Sequence, residues 1–327
     1  MATYRAIKGL EIQVQSSDPS NPSKGQIWYN STAGVLKIAG AGAWSSGGSL
    51  NVAAYRGVSS NAGTQTACIN FGGTTPLSTT SALNEEYDGT TWTEVGDMNT
   101  GRYNLMSAGT STSCVAFGGK TPPTTAATEE WGGSSWVSNP SPSGDLGGGR
   151  YTSGAFGTLT AALCTAGDGT GGAGGYPTIT EEYNGTTWSE VNDLPGSRYQ
   201  ISGAGTQTAG IVAGGQAVPG HAKSTTCFEY DGTSWAAGNA MGTAAAYNSM
   251  FGIQTAAKLC GNSPAATLVQ DYDGTSWTTG TAMTTARQYE NSAGSITAGI
   301  VIGGGPTAIN TVEEFNDPGT TTITTST

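Results

Sequence analysis

Nearly the same phrase recurs five times between residues 85 and 277: Glu86-Tyr87-Asp88-Gly89-Thr90-Thr91-Trp92, with variants ending at Trp136, Trp188, Trp235 and Trp277. Successive tryptophans stand 44, 52, 47 and 42 residues apart. That period suits antiparallel four-stranded units and is too long for helical-hairpin repeats or leucine-rich solenoids. One such unit cannot bury its apolar faces alone, so neighbours must stack to make a core. The repeat therefore predicts an all-β chain, and among all-β architectures a β-propeller.

The second unit shows the layout with least distortion. Arg102-Tyr103 leads into a strand ending near Ala108, and Ser113 to Phe117 forms the next, closed by Gly118-Gly119. After a Thr/Pro-rich loop come Ala127 to Trp131, a Gly-Gly turn, and Ser135-Trp136-Val137. Alternating apolar residues bounded by Gly, Pro and Asn read as four strands, and Asp-Gly or Asn-Gly at Asp88, Asn184, Asp231 and Asp273 mark the last hairpin as a two-residue turn. The Gly-Gly position appears six times, at Gly72, Gly118, Gly167, Gly214, Gly261 and Gly303, with the second glycine replaced by Asp168 and Asn262 in the third and fifth units. The Glu-aromatic position appears at Tyr87, Trp131, Tyr183, Tyr230, Tyr272 and Phe315. Six blades follow. The last lacks its tryptophan strand, whereas an orphan Ala41-Gly42-Ala43-Trp44-Ser45 precedes the first, so the N-terminal strand is predicted to complete the sixth blade and hide two sheet edges. Gly25 to Ile38 reads as a further hairpin, which leaves a seven-bladed arrangement as the alternative. The expected division is a leader over 1–24, a propeller over 25–317 and a Thr-rich tail over 318–327.

Composition narrows the function classes. With 52 Gly in 327 residues and 11% charged residues, the chain is turn-rich and covered mostly by Ser, Thr, Asn and backbone amides. A net charge of −11 argues against affinity for nucleic acid or anionic membranes, which needs clustered Lys and Arg. Met1 to Gln15 has no uninterrupted apolar stretch of the secretory kind, and nowhere do 18 apolar residues run together, so synthesis in a cytoplasm without membrane insertion is expected. Cys68, Cys114, Cys164, Cys227 and Cys260 form no C-x-x-C pair and read as small buried hydrophobes.

Catalytic and metal chemistry find few candidates. The single histidine, His221, sits in a Gly/Pro-flanked loop, and without a second histidine or a cysteine pair no zinc or copper site of ordinary ligand count is encoded. No cofactor is expected. Glu85-Glu86, Glu129-Glu130, Glu181-Glu182 and Glu313-Glu314 recur at one repeat position, which spreads carboxylates around a ring instead of pairing them across a cleft as glycoside hydrolysis requires. One Glu of each pair is expected to face solvent and the other to meet an arginine. The partners are Arg102, Arg150, Arg198 and Arg287, each just before the first strand of a unit, with Ala246 in their place in the fifth. They would gather near one channel mouth, either as buried links between neighbouring blades or as an anion- or glycan-contacting ring, since the guanidinium fork suits both. Unequal rim loops, Asp168 to Pro177 and Gln216 to Ser224, are where a recognition face would vary. Trp44, Trp92, Trp136, Trp188, Trp235 and Trp277 are assigned to structure. No reaction is predicted.

The Gly-Gly, Tyr and Trp sequence of each unit resembles the kelch repeat over about residues 44–317. Some kelch propellers are copper oxidases, whose histidine ligands this chain lacks. Gln15 to Thr32, with its Pro22-Ser23-Lys24-Gly25-Gln26-Ile27-Trp28-Tyr29-Asn30 core, then Val35-Leu36-Lys37 and Ala43-Trp44, is similar to the leader of structural proteins of tailed, particularly marine, bacteriophages. The resemblance implies a non-enzymatic virion component (tail, neck, fibre or capsid surface), assembled in the host cytoplasm and docked on other virion proteins through its N-terminal segment. A lectin-like propeller that binds host surface glycan is the alternative. Oligomerisation is compatible with both.

Overall fold

The computed structural model describes residues 12–19, 25–55, 58–59, 63–76, 80–139, 144–169 and 175–323 of the chain. It is all-β, built of small, mostly antiparallel sheets. The first repeated sheet runs Val58–Ser59, Cys68–Phe71, Asn84–Tyr87, Trp92–Glu94, and the second Met106–Thr110, Ser113–Phe117, Thr128–Trp131, Trp136–Ser138. The third runs Gly154–Thr158, Ala161–Thr165, Thr180–Tyr183, Trp188–Val191, and the fourth Arg198–Thr206, Ala209–Ala217, Cys227–Tyr230, Trp235–Ala237. The fifth is Ser249–Ile253, Ala256–Cys260, Val269–Tyr272, Trp277–Thr279. The sixth takes Asn291–Ser295, Ala298–Ile302 and Val312–Asn316 from the C-terminal end and its fourth strand, Ala43–Ser46, from the N-terminal end, with Trp44 opposite Phe315.

A separate sheet joins the three segments distinguished in the sequence. Gln13–Gln15 pairs in parallel with Ile27–Asn30, which forms a hairpin with Val35–Ala39, and Thr320–Ile323 closes the other side. Asp18 ties it together by accepting from Trp28 Nε1 (3.1 Å), Asn30 Nδ2 (2.7 Å) and Lys37 Nζ (2.5 Å). These bonds hold the carboxyl down at about 2.

The repeated phrase is explained by its turn. Tyr87 pairs with Trp92, so the connection is four residues long and not the two-residue turn that Asp-Gly predicts. Asp88 Oδ1 accepts from the N–H of Thr90 and of Thr91, both at 2.8 Å, and Gly89 supplies the positive φ of +92°. Asp231 and Asp273 repeat the arrangement, and backbone donors lower all three carboxyl pKa values. An aspartate competing for its own backbone in this way favours the longer loop over a primed turn, where both central residues need positive φ.

The turn delivers the tryptophan of the first five sheets onto the aromatic residue across the hairpin, and the borrowed strand does the same for Trp44 in the sixth. Ring centroids lie 4.9 Å apart for Tyr87–Trp92, 5.0 Å for Tyr183–Trp188 and 5.2 Å for Phe315–Trp44. The core is then divided among the spaces between consecutive sheets. Phe71, Leu105, Cys114, Trp131 and Trp136 fill the space between the first and second, while Leu50, Cys68, Tyr87, Trp92, Ile300 and Val312 fill that between the sixth and the first. Sheets approach so closely that a side chain at Gly210 would strike the Phe156 ring at 2.1 Å, and one at Gly299 the Phe251 ring at 2.3 Å. This explains part of the glycine content. All five cysteines are buried and unpaired, and burial pushes the Cys68 and Cys114 thiols up.

One main-chain bond recurs at every junction. The second residue of the Gly-Gly turn donates its N–H to the carbonyl just before the next sheet: Gly73 to Arg102 (2.8 Å), Gly119 to Arg150 (2.8 Å), Gly167 to Arg198 (2.9 Å), Gly215 to Ala245 (2.8 Å), Asn262 to Arg287 (3.1 Å), and Gly304 back to Ala54 (3.0 Å). This register corrects two sequence assignments. The third unit keeps its second glycine, Gly167, and replaces the first by Ala166 at φ +57°, and the alanine standing for arginine in the fifth unit is Ala245, not Ala246.

Because Trp44 anchors the one strand borrowed from the far end of the chain, Trp44→Ala is expected to cost about 3–5 kcal/mol. Denaturant unfolding measures this, and a loss below about 1 kcal/mol would show that Ala43–Ser46 does not clasp the sixth sheet.

Candidate functional site

The four sequence-predicted arginines lie beneath the surface and are committed to their own repeats. Arg102 is 0% exposed; its Nη1 donates to the carbonyls of Gly118 (3.3 Å) and Ala127 (2.6 Å) and its Nη2 to Glu129 Oε1 (2.9 Å). Arg150 bonds Glu181 and the Ile179 carbonyl (3.1 Å), and Arg287 bonds Glu313 (Nη2 at 3.1 Å) and the carbonyls of Gly303 and Thr311. The ion pairs therefore lie within one repeat and do not link neighbours. Burying one such charge unpaired would cost several kcal/mol, so the chain must change both partners together.

The other repeats do so. In the fourth, Phe228 replaces the glutamate, and the Arg198 guanidinium lies 5.0 Å from its ring while donating to Gly214 O, Ser224 Oγ and Thr226 Oγ1. In the fifth, Ala245 and Gln270 take the two positions, and the Gln270 amide exchanges two 3.0 Å bonds with the Thr243 backbone. In the first, with Ala54 at the arginine position, Glu85 has no guanidinium partner among the described residues; it accepts from the N–H of Asn51 (3.1 Å) and Val52 (3.0 Å), and burial raises its pKa.

The carboxylate at the second position makes the link between sheets at four junctions. Tyr183 OH donates to Glu130 (2.5 Å), Tyr230 OH to Glu182 (2.9 Å), Tyr272 OH to Glu229, and Tyr87 OH to Glu314 (2.5 Å), the last joining the first sheet to the sixth. The bonded carboxylate and burial raise the Tyr87 phenol to about 12. Where Phe315 has no hydroxyl to offer, Lys258 pairs with Asp271 and sets its Nζ 4.0 Å from the Phe315 ring. Gln65 Nε2 adds bonds to the carbonyls of Gly299 (3.0 Å) and Phe315 (2.8 Å), as Gln207 and Gln254 do at two other junctions.

A cavity of about 110 Å³ opens between the first strands of the second to sixth sheets. Its rim is a chain of residues at φ +53° to +61°: Asn104, Thr152, Gln200, Tyr247 and Tyr289. Each N–H donates to the previous carbonyl, Thr152 to Asn104 (3.1 Å), Gln200 to Thr152 (2.8 Å), Tyr247 to Gln200 (3.3 Å) and Tyr289 to Tyr247 (2.9 Å). Left-handed backbone at five non-glycine residues costs roughly 1 kcal/mol or more each and persists only where surrounding structure over-determines it.

Around this rim runs an arc of buried and half-buried tyrosines. Tyr55 meets Tyr289 at 5.0 Å and Tyr289 meets Tyr247 at 4.3 Å. Tyr199 meets Tyr176 at 4.9 Å and lies within electrostatic reach of Tyr247; Tyr151 is likewise within reach of Tyr176 and Tyr103. His221 joins the arc, its Nδ1 3.1 Å from Tyr199 OH and its ring 5.5 Å from that of Tyr176. Lys120 Nζ caps the Tyr151 ring at 4.2 Å, and Tyr151 OH bonds Asp168. Among the predicted site residues only His221 thus stands on the open surface. The arginines mark the repeat position while the adjacent tyrosines present the chemistry. A signal was there: Tyr55, Tyr103, Tyr151, Tyr199 and Tyr247 follow one another at intervals of 48 residues.

Two buried polar atoms in the cavity wall, Gln200 Oε1 and Asn248 Nδ2, have no partner among the described residues, and the buried Glu290 carboxyl lies within hydrogen-bonding reach of Ser249. Glu290 occupies the position filled by Leu105 and Ile201 in other repeats, against Gly261 of the preceding sheet, where an added Cβ would meet Oε1 at 1.9 Å. Burial raises its pKa to about 8.

No family model matches the chain, and no curated protein matches it.

Two measurements test this account of the buried charges. Arg287→Ala alone is expected to cost about 3–5 kcal/mol by stranding Glu313, and Arg287→Ala with Glu313→Gln, the combination the fifth repeat uses, to recover most of that loss in denaturant unfolding. The folded-state pKa of Glu290 lies above its ordinary 4.5, so the folded form favours the proton and stability falls as pH rises from about 4.5 to about 8. Glu290→Gln should flatten that slope in melts across the range, and an unchanged slope would show that the carboxyl is not held neutral.

Proposed function

We propose that the chain is a six-bladed, kelch-like β-propeller serving as a non-enzymatic structural component of a tailed-phage virion. The propeller reading is supported by the main-chain bond that recurs at each junction from Gly73–Arg102 to Gly304–Ala54, with aromatic cores between consecutive sheets including the sixth and the first. The scaffold reading is carried by the use of the repeated polar side chains. The carboxylates that could serve as acid and base are bound by arginines within repeats or tyrosines between them, which suits rigidity rather than chemistry. The phage-like Gln15 to Thr32 segment supplies the biological setting, and the N-terminal segment is the proposed docking element for other virion proteins.

Mass spectrometry of purified particles tests this reading. The chain is expected among the virion proteins, and a version starting at Lys24 is expected to fold, by thermal melt, yet stay out of particles. Absence of the full chain from virions would overturn the assignment.

A second reading, attachment to host surface glycan, is favoured by one observation: the tyrosine arc with His221 around the open cavity.

A further inference from the structure

We infer that the first repeat holds a cation site. The place filled by an arginine guanidinium in the second, third and sixth repeats is left there for a water-sized monovalent cation, potassium or ammonium, bound by the Glu85 carboxylate and the carbonyls of Gly72 and Leu83.

The repeats that keep the arginine define the cradle. Arg102 donates to the carbonyls of Gly118 and Ala127 and to Glu129, and Arg287 makes the same three contacts with Gly303, Thr311 and Glu313. Two carbonyls and one carboxylate thus surround each cation. Gly72, Leu83 and Glu85 stand at the equivalent positions of the first repeat. The main-chain bond that joins Gly118 N to Ala127 O (3.1 Å) and Gly303 N to Thr311 O (3.1 Å) is repeated there from Gly72 N to Leu83 O (3.0 Å). The cradle is built alike, but Ala54 stops at its Cβ. Ala54, Gly72, Leu83 and Glu85 accordingly line a cavity of about 10 Å³. That is room for about one water molecule, and potassium and ammonium are close to water in size. Val52 and Thr75, both half-buried, bring one wall of the cavity to the surface.

Glu85 supplies the charge. It is 4% exposed, and a carboxylate buried to that degree gains strongly from an adjacent cation. Its bonds from the N–H of Asn51 and Val52 leave this capacity in place: Glu313 accepts from the equivalent N–H groups of Thr284 and Thr285 and still holds Arg287. Glu94, directly opposite Glu85 on the neighbouring strand, adds a second negative charge. The fifth repeat gives the contrast. Ala245 replaces the arginine there and Gln270 removes the acid with it, whereas the first repeat lacks the arginine and keeps the acid. One buried carboxylate balances one charge, and calcium, which takes about six to eight oxygen ligands, would need more than this cradle offers.

The test melts the full chain in potassium, ammonium, calcium and tetramethylammonium chlorides at constant ionic strength, the last being too large for the cavity. Potassium or ammonium is expected to raise the melting temperature saturably, by about 2 °C or more over tetramethylammonium. The same salt should shift the backbone amide resonances of Asn51 and Val52. Glu85→Gln, which copies the Ala245–Gln270 pair, is expected to abolish both responses. Ala54→Arg, which copies the second repeat, is expected to raise the melting temperature and abolish them too. If Ala54→Arg does not fold, Glu85→Gln and the wild-type amide shifts still decide. No response to potassium or ammonium beyond that to tetramethylammonium, or a response that survives Glu85→Gln, would overturn the site. A response confined to calcium would overturn the monovalent class.

Discussion

No repeated sheet of this chain owns a core. Each is short, and its apolar residues become buried only when the next sheet lies against it, as Phe117 does under Trp188 with ring centroids 4.6 Å apart. The stabilising unit is therefore the junction, and a free junction at either end would expose apolar wedge and unpaired backbone together. Three contacts span the join between the sixth and first sheets: Gly304 to Ala54, Tyr87 to Glu314, and Gln65 to the carbonyls of Gly299 and Phe315. Every other junction can be regarded as a local copy of that requirement.

Within the repeat, electrostatics imposes a second constraint. A guanidinium at 0% exposure is tolerable only with a carboxylate or several carbonyls around it, so residues separated by about two dozen positions in sequence change in concert. Arg with Glu, Arg with Phe and polar neighbours, and Ala with Gln are three solutions at equivalent sites. The first repeat, Ala54 with Glu85, is a fourth, with backbone N–H groups standing in for the cation. Comparing repeats of one chain shows here the kind of compensation usually sought between homologues.

Much of the fold was legible because it rests on local rules. Alternation and turn residues marked the strands, and the Trp44 to Tyr55 spacing located the borrowed strand paired with Phe315. Register was harder. The shift from Asp168 to Ala166 as the replaced residue, and from Ala246 to Ala245, depends on which N–H meets which carbonyl, and sequence carries no such mark. The arginines are legible as a repeated feature, as buried links between blades or as a contacting ring, but that each pairs inside its own repeat is not, because the partner glutamate lies in a strand 26 to 31 residues away. Tyr247 and Tyr289 stand two residues past the alanine or arginine of their repeats and line the cavity with left-handed backbone, a conformation the sequence does not mark.

The sheet holding both chain ends has a mechanical meaning. Gln13–Gln15 and Thr320–Ile323 occupy its outer positions, three strand spacings or roughly 14 Å apart. Tension entering through either terminus would load this small sheet in shear, with its strand ladders and the Asp18 bonds resisting, before reaching Ala43–Ser46. Anything tethered at the ends would thus pull first on this sheet, leaving the repeated sheets unstrained until it gives way.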